Sequence, residues 1–213
     1  MTKDFSRRPI ASRNTKWAAY VTRRLVAEGV APNRISAGSV VAAALAAGAF
    51  ATAGAVGPLW AAGLLLLLGA ALTQLRLLCN LFDGLVAVEG GMASPDGAFW
   101  NEVPDRLSDL LILAGFGMAL GRLELGLLVG ALAILTAYLR EFGRAAGLGS
   151  DFSGPGAKSH RMAVVTLGAV AQVVVWSLGQ NWPVLFWALS LVLALTAATV
   201  ARRSWCILRK MRA

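Results

Sequence analysis

Six apolar runs, parted by short polar or glycine-containing breaks, constrain this chain more than any other feature. They cover roughly 35–56, 59–88, 97–120, 123–146, 160–179 and 182–201. Each reaches the ~20 residues that a helix needs to cross a bilayer. The predicted fold is therefore all-α: a polytopic membrane bundle of six transmembrane helices. Composition points the same way. Charged residues make up 15% of the chain and hydrophobic residues 57%, with a mean hydropathy of +0.66, whereas a soluble domain carries about 25% charge. The second run exceeds the thickness of a bilayer, which predicts a tilt or a projection into the cytosol.

The net charge of +9 raises the question of nucleic acid, and the placement of the charges argues against it. Lys3, Arg7, Arg8, Arg13, Lys16, Arg23, Arg24 and Arg34 precede the first run. Arg140, Arg144, Lys158 and Arg161 flank the connection between the fourth and fifth. Arg202, Arg203, Arg209, Lys210 and Arg212 follow the last. With six spans all of these fall on one side, and Arg122 alone falls on the other. The positive-inside rule then puts both termini in the cytoplasm, and no nucleic-acid module is recognisable. Residues 1–16 are polar and basic with no apolar h-region, so targeting is expected to rest on the first span.

Ahead of that span, residues 15–30 predict an amphipathic helix lying along the cytoplasmic interface, with Trp17, Tyr20, Val21, Leu25 and Val26 on one face. Pro32 breaks it, and Asn33 or Ser36 can cap the next helix. Trp17, Trp60, Trp182 and Trp187 lie near span ends, as interfacial belt residues do. Three organisational units are expected: an arm at 1–34, the membrane core at 35–201 and a basic tail at 202–213. Cys79 and Cys206 read as packing residues. His160 is the only histidine, and neither a nucleophile elbow nor a P-loop accompanies it.

Within the second and third runs, polar residues recur at helical spacing. Arg76, Asn80, Asp83 and Ala87 form one stripe, and Asn101, Asp105 and Asp109 another. Counting inward from 88 and 97 pairs them by depth: Asp83 with Asn101, Asn80 with Asp105, Arg76 with Asp109. The upper rungs present oxygens to a shared point, as a hard divalent cation requires. The deepest rung reads as a structural pair, Arg76 with Asp109, and Arg106 lies off the stripe. Ionisable residues inside a membrane mark function by default. Their cytoplasmic clustering disfavours a transporter, which would carry polar groups towards the outer face too.

These residues resemble the CDP-alcohol phosphotransferase family, whose pattern is Asp-x2-Asp-Gly-x2-Ala-Arg-x8-Gly-x3-Asp-x3-Asp. The same spacing here holds Asn80, Asp83, Gly84, Ala87, Val88, Gly97, Asn101 and Asp105. Five of the eight identities agree, and no gap is needed. Pro32-Asn33-x-Ile35-Ser36 is similar to the start of the family's first span. The resemblance implies transfer of a substituted phosphate, typically phosphatidyl from CDP-diacylglycerol, to an alcohol with release of CMP. It implies Asp83, Asp105, Asn80 and Asn101 as the Mg²⁺ or Mn²⁺ site, with Asp105 also the catalytic base. Gly84, Ala87, Gly97, Asn33 and Ser36 would shape the nucleotide pocket. Arg140, Arg144, Lys158 and Arg161 would take the lipid phosphate or the acceptor. It further implies a homodimer in the bacterial inner membrane, with the site at the cytoplasmic face.

Three departures stand out. Asn80 and Asn101 replace acids, and Val88 replaces the arginine. An amide oxygen can ligate a hard cation but brings no charge, so the number of ions, one or two, stays open. Leu75-Arg76, Asn101-Glu102 and Arg140-Glu141-Phe142 are similar to an asparagine-substituted bacterial branch of the family. A non-catalytic lipid or nucleotide binder that kept the fold is the alternative.

Overall fold

In the computed structural model, residues 15–92 and 94–212 are described. The basic positions Lys3, Arg7, Arg8 and Arg13 of the predicted arm lie outside them. The described residues are all-helical. Seven helices follow in order: α1 Lys16–Ala27, α2 Pro32–Ala55, α3 Leu59–Glu89, α4 Gly97–Ala119, α5 Leu123–Ala145, α6 Lys158–Ser177 and α7 Val184–Met211.

Five of these, α2, α3, α5, α6 and α7, are long and apolar enough to cross a membrane, which makes this a multi-pass membrane protein. The remaining long helix, α4, carries Glu102, Asp105, Arg106 and Asp109 among its first thirteen residues, which lowers its apolar character. At the other end of the chain, α7 runs on to Met211, so most of the predicted basic tail is helix. Arg203 ties that extension to its surroundings. Its Nη1 donates to the Thr136 carbonyl at 2.5 Å and its Nε to the Ser153 carbonyl at 3.0 Å.

The six long helices close a ring. α2 packs on α3 and α4, α4 on α5, α5 on α7, α7 on α6, and α6 back on α3. Although α3 and α4 are consecutive in sequence, they touch little. Their polar stripes therefore face each other across the interior of the ring.

One end of that interior is packed solid by Phe50, Leu66, Ile112, Phe116, Val165 and Leu189. The Phe50 and Phe116 rings meet edge to face, centroids 5.2 Å apart. Small residues let α2 and α4 approach closely. A Cβ placed on Gly115 would lie 2.5 Å from the Ala47 Cα, a distance no side chain could accept. Leu64, Leu68, Leu167 and Leu191 point outward, so the helices are apolar on both faces, as spans are.

α1 lies across α3. Ala18 and Thr22 are buried, and Val21 and Leu25 pack with them near Leu81, Phe82 and Leu85. Tyr20 is 61% exposed, and the Trp17 and Phe82 rings meet edge to face, centroids 5.6 Å apart. Close approach of two helices selects small residues over large aromatics. The predicted cap at the start of α2 is absent. Pro32 occupies the first turn, where its fixed φ suits a helix start. Ser36 sits inside the helix and turns to Asp83.

Candidate active site

The end of the ring opposite the apolar core holds a cavity of about 880 Å³, open to one side. Helices α3 to α6 supply most of its polar groups. From α3 come Asn80, Asp83, Gly84 and Ala87, and from α4 come Asn101, Glu102, Asp105 and Arg106. α5 adds Arg140 and Arg144, and α6 adds Lys158.

Asp83 is 5% exposed. The Ser36 hydroxyl, reaching over from α2, donates to its Oδ2 at 2.7 Å. Its Oδ1 has no hydrogen-bond partner, and neither has Asn80 Oδ1 one turn away on the same helix. Two buried, unpartnered oxygens on adjacent turns form the only such acceptor pair among the described residues. Beside them the space in front of Gly84 is open. A Cβ built there would meet nothing within 4 Å.

Asp105 is in the opposite condition, because donors surround both its oxygens. Asn80 Nδ2 and Arg76 Nη2, the latter at 3.3 Å, donate to Oδ1. Lys158 Nζ donates to Oδ2 at 2.5 Å. Beneath it, Asp109 accepts from Arg76 at 2.8 Å and from Arg161 at 2.5 Å. Arg76 and Asp109 thus stand together, as the stripes predict, with Arg161 as an unpredicted third member. Arg161 also donates to the Gly156 carbonyl at 2.5 Å, while its Nε has no partner.

The outermost predicted rung does not close. Asn101 is exposed at the rim, while Asp83 is held by Ser36. Asn33 is at the rim too, 3.4 Å from Asp96 Oδ2. The hydroxyl of Ser94 and then the indole N–H of Trp100 keep the Asp96 carboxyl below its usual range. Ala87 and Gly97 line the cavity, and the Gly97 N–H donates to the Ser94 carbonyl at 3.0 Å.

Around the mouth runs a network whose residues appear in the sequence motifs but whose contacts do not follow from them. Glu102 accepts from Arg106 and, at 2.6 Å, from Arg140. Arg140 also contacts Glu141 at 3.0 Å and lies 5.5 Å above the Phe152 ring centre. Arg144 pairs with Glu141 at 2.5 Å. The four-residue spacing of Glu102 and Arg106 carried the signal for the first contact, but nothing local links Glu102 to Arg140.

No protein-family model matches the sequence, and no curated protein matches it. Solved structures do share its architecture. Mycobacterium tuberculosis phosphatidylinositol phosphate synthase in complex with manganese and citrate aligns with a TM-score of 0.73 at 20% identity, over 88% of this chain and 87% of that one. This chain has the fold of that synthase. The synthase with CDP-DAG bound aligns with the same score and identity, over 88% and 92% of the two chains. Its apo form gives 0.69 at 21% identity, over 86% and 92%.

The donor set suits one hard cation. Asp83 Oδ1 and Asn80 Oδ1 are unpartnered and close in sequence. A small divalent ion is commonly held by one or two protein oxygens together with water and substrate phosphate. A second ion is less well served. Both oxygens of Asp105 already have donors.

Proposed function

We propose that this chain is a membrane phosphotransferase of the CDP-alcohol type. It moves the phosphatidyl group of a CDP-linked lipid, such as CDP-diacylglycerol, to an alcohol and releases CMP. The observation that carries this reading is the lining of one cavity by the gapless set Asp83, Gly84, Ala87, Gly97 and Asp105, inside a fold shared with a synthase solved with CDP-DAG bound.

The roles follow from position. Gly84 leaves open space for the nucleotide, with Ala87, Gly97, Asn33 and Ser36 around it. The acceptor oxygen attacks the lipid-side phosphorus, the bond to the CMP phosphate breaks, and the acceptor's proton passes to Asp105. A carboxylate positioned as base contributes about 10²–10⁴-fold. Asp83 and Asn80, whose unpartnered oxygens lie on adjacent turns, would hold Mg²⁺ or Mn²⁺. When bound, that ion withdraws charge from the diphosphate and eases the departure of CMP. Arg140 and Arg144 lie at the mouth for the lipid phosphate or an anionic acceptor group. The basic flanks support six spans, α4 among them, with both termini and the cavity mouth on the cytoplasmic side of a bacterial inner membrane. A homodimer is part of the same reading.

The test uses purified protein with CDP-diacylglycerol, Mg²⁺ or Mn²⁺ and a panel of alcohols, and follows CMP. Release is expected with at least one acceptor, and Asp105→Asn is expected to slow it by about 10²-fold or more. Full activity in that variant removes Asp105 as the base. A second reading, a binder without turnover, draws on the donors that already occupy Asp105. Binding of CDP without CMP release over the whole panel would establish it.

A further inference from the structure

We infer that the Lys158 ammonium is a resident second cation of this site, occupying the α4 side of the cavity where a second divalent ion would otherwise need ligands. The inference rests on the phosphotransferase reading and deepens it. Its basis is the unequal occupancy of the two carboxylates that face each other across the ring. Asp83 keeps one buried oxygen without a partner, and the neighbouring Asn80 oxygen is free as well. That side can accept a metal. Asp105 has no free oxygen: Arg76 and Asn80 take Oδ1, and Lys158 takes Oδ2 at 2.5 Å.

Asparagines at 80 and 101 fit this division. A second ion at Asp105 would need further anionic ligands; Asn80 and Asn101 carry amides, and Asp109 is already held by Arg76 and Arg161. Asn101 is exposed at the rim rather than turned to Asp105. Lys158 supplies positive charge without any added ligand. An ammonium is a compact point charge with three donors, and a third of the Lys158 side chain remains exposed to the cavity. One donor holds Asp105, and the others are free to meet a phosphate oxygen. The lysine has a fixed mounting. It opens α6, and one turn on the same helix Arg161 is buried and pinned to Asp109.

The inference is tested with Mn²⁺ alone, by titrating the purified full-length chain in detergent and counting free ion by electron paramagnetic resonance. One Mn²⁺ per chain is expected. In Lys158→Gln, Asp105 Oδ2 keeps only the longer contact with Arg106 Nη1, at 3.8 Å, and either a second Mn²⁺ binds or affinity rises at least tenfold. Lys158→Arg, which keeps the charge, is expected to hold the wild-type count and serves as the control for folding. Two ions in the wild type, none in the wild type, or an unchanged count and affinity in Lys158→Gln would each overturn the inference. None of these readouts requires turnover. A chain that releases no CMP yet shows the lysine-dependent count defeats the phosphotransferase reading and leaves the cation assignment standing.

Discussion

The polar network has a deep half and a shallow half, built from the same residue types and under different physical rules. Below, Arg76, Asp109 and Arg161 have side chains at most 6% exposed and join α3, α4 and α6. Above, Glu102, Arg106, Arg140, Glu141 and Arg144 are 19–57% exposed and join α4 to α5. A buried charge without its partner is very costly, whereas an exposed ion pair is screened by water and contributes little. The deep half therefore fixes geometry. In the shallow half, pairs can be exchanged for ligand phosphates at small cost.

The largest effect is expected where the deep half is broken. Arg76→Met leaves Asp105 and Asp109 without the guanidinium that bridges them. Loss of one partner from a buried pair costs about 3–5 kcal/mol. Thermal unfolding in detergent should show a large drop in midpoint, with loss of any CMP-releasing activity. A change as small as that of a surface variant would show that Arg161 alone neutralises Asp109, and the comparison would then lose its deep member.

How far this division was legible in the sequence follows from the range of each contact. The stripes on α3 and α4 were readable because a helix fixes which residues share a face, and Arg76, Asn80, Asp105 and Asp109 fall within two such faces. Lys158 and Arg161 come from 53 and 52 residues beyond their partners. Only the closure of the ring by α6 against α3 brings them in, and no local spacing encodes that. Ser36 was visible as a polar residue at a helix start, a place where serine has a local role, yet its partner lies on another helix. On α1, hydropathy and packing select partly different residues. Hydropathy gives weight to Trp17 and Tyr20, while close helix contact admits Ala18 and Thr22.

An intermediate effect is expected at the junction of the two halves. Ser36→Ala removes the one hydroxyl that donates to buried Asp83. Hydrogen bonds to charged groups contribute about 1.5–3 kcal/mol, so stability should fall by less than in Arg76→Met. The carboxylate that loses this donor has both oxygens free for a cation. Mn²⁺ should therefore offset most of the loss, and a metal-dependent recovery of the unfolding midpoint checks this. A midpoint that Mn²⁺ does not move would place the cation elsewhere than Asp83.

The smallest effect is expected in the shallow half, and it separates exchangeable pairs from fixed ones. Glu102→Gln removes the charge that Arg106 and Arg140 share, and it leaves an amide that can still accept from either. These groups are partly hydrated, so the stability change should stay under about 1 kcal/mol. The released guanidinium charge then acts on any anion in the cavity. CDP binding, followed by calorimetry at low salt, should tighten by about two- to fivefold, the equivalent of 0.4–1 kcal/mol, and added salt should reduce the gain. Weakening by tenfold or more would mean that Glu102 holds the arginines in a required position. The mouth would then be fixed machinery like the deep cluster, and exposure alone would not tell the two halves apart.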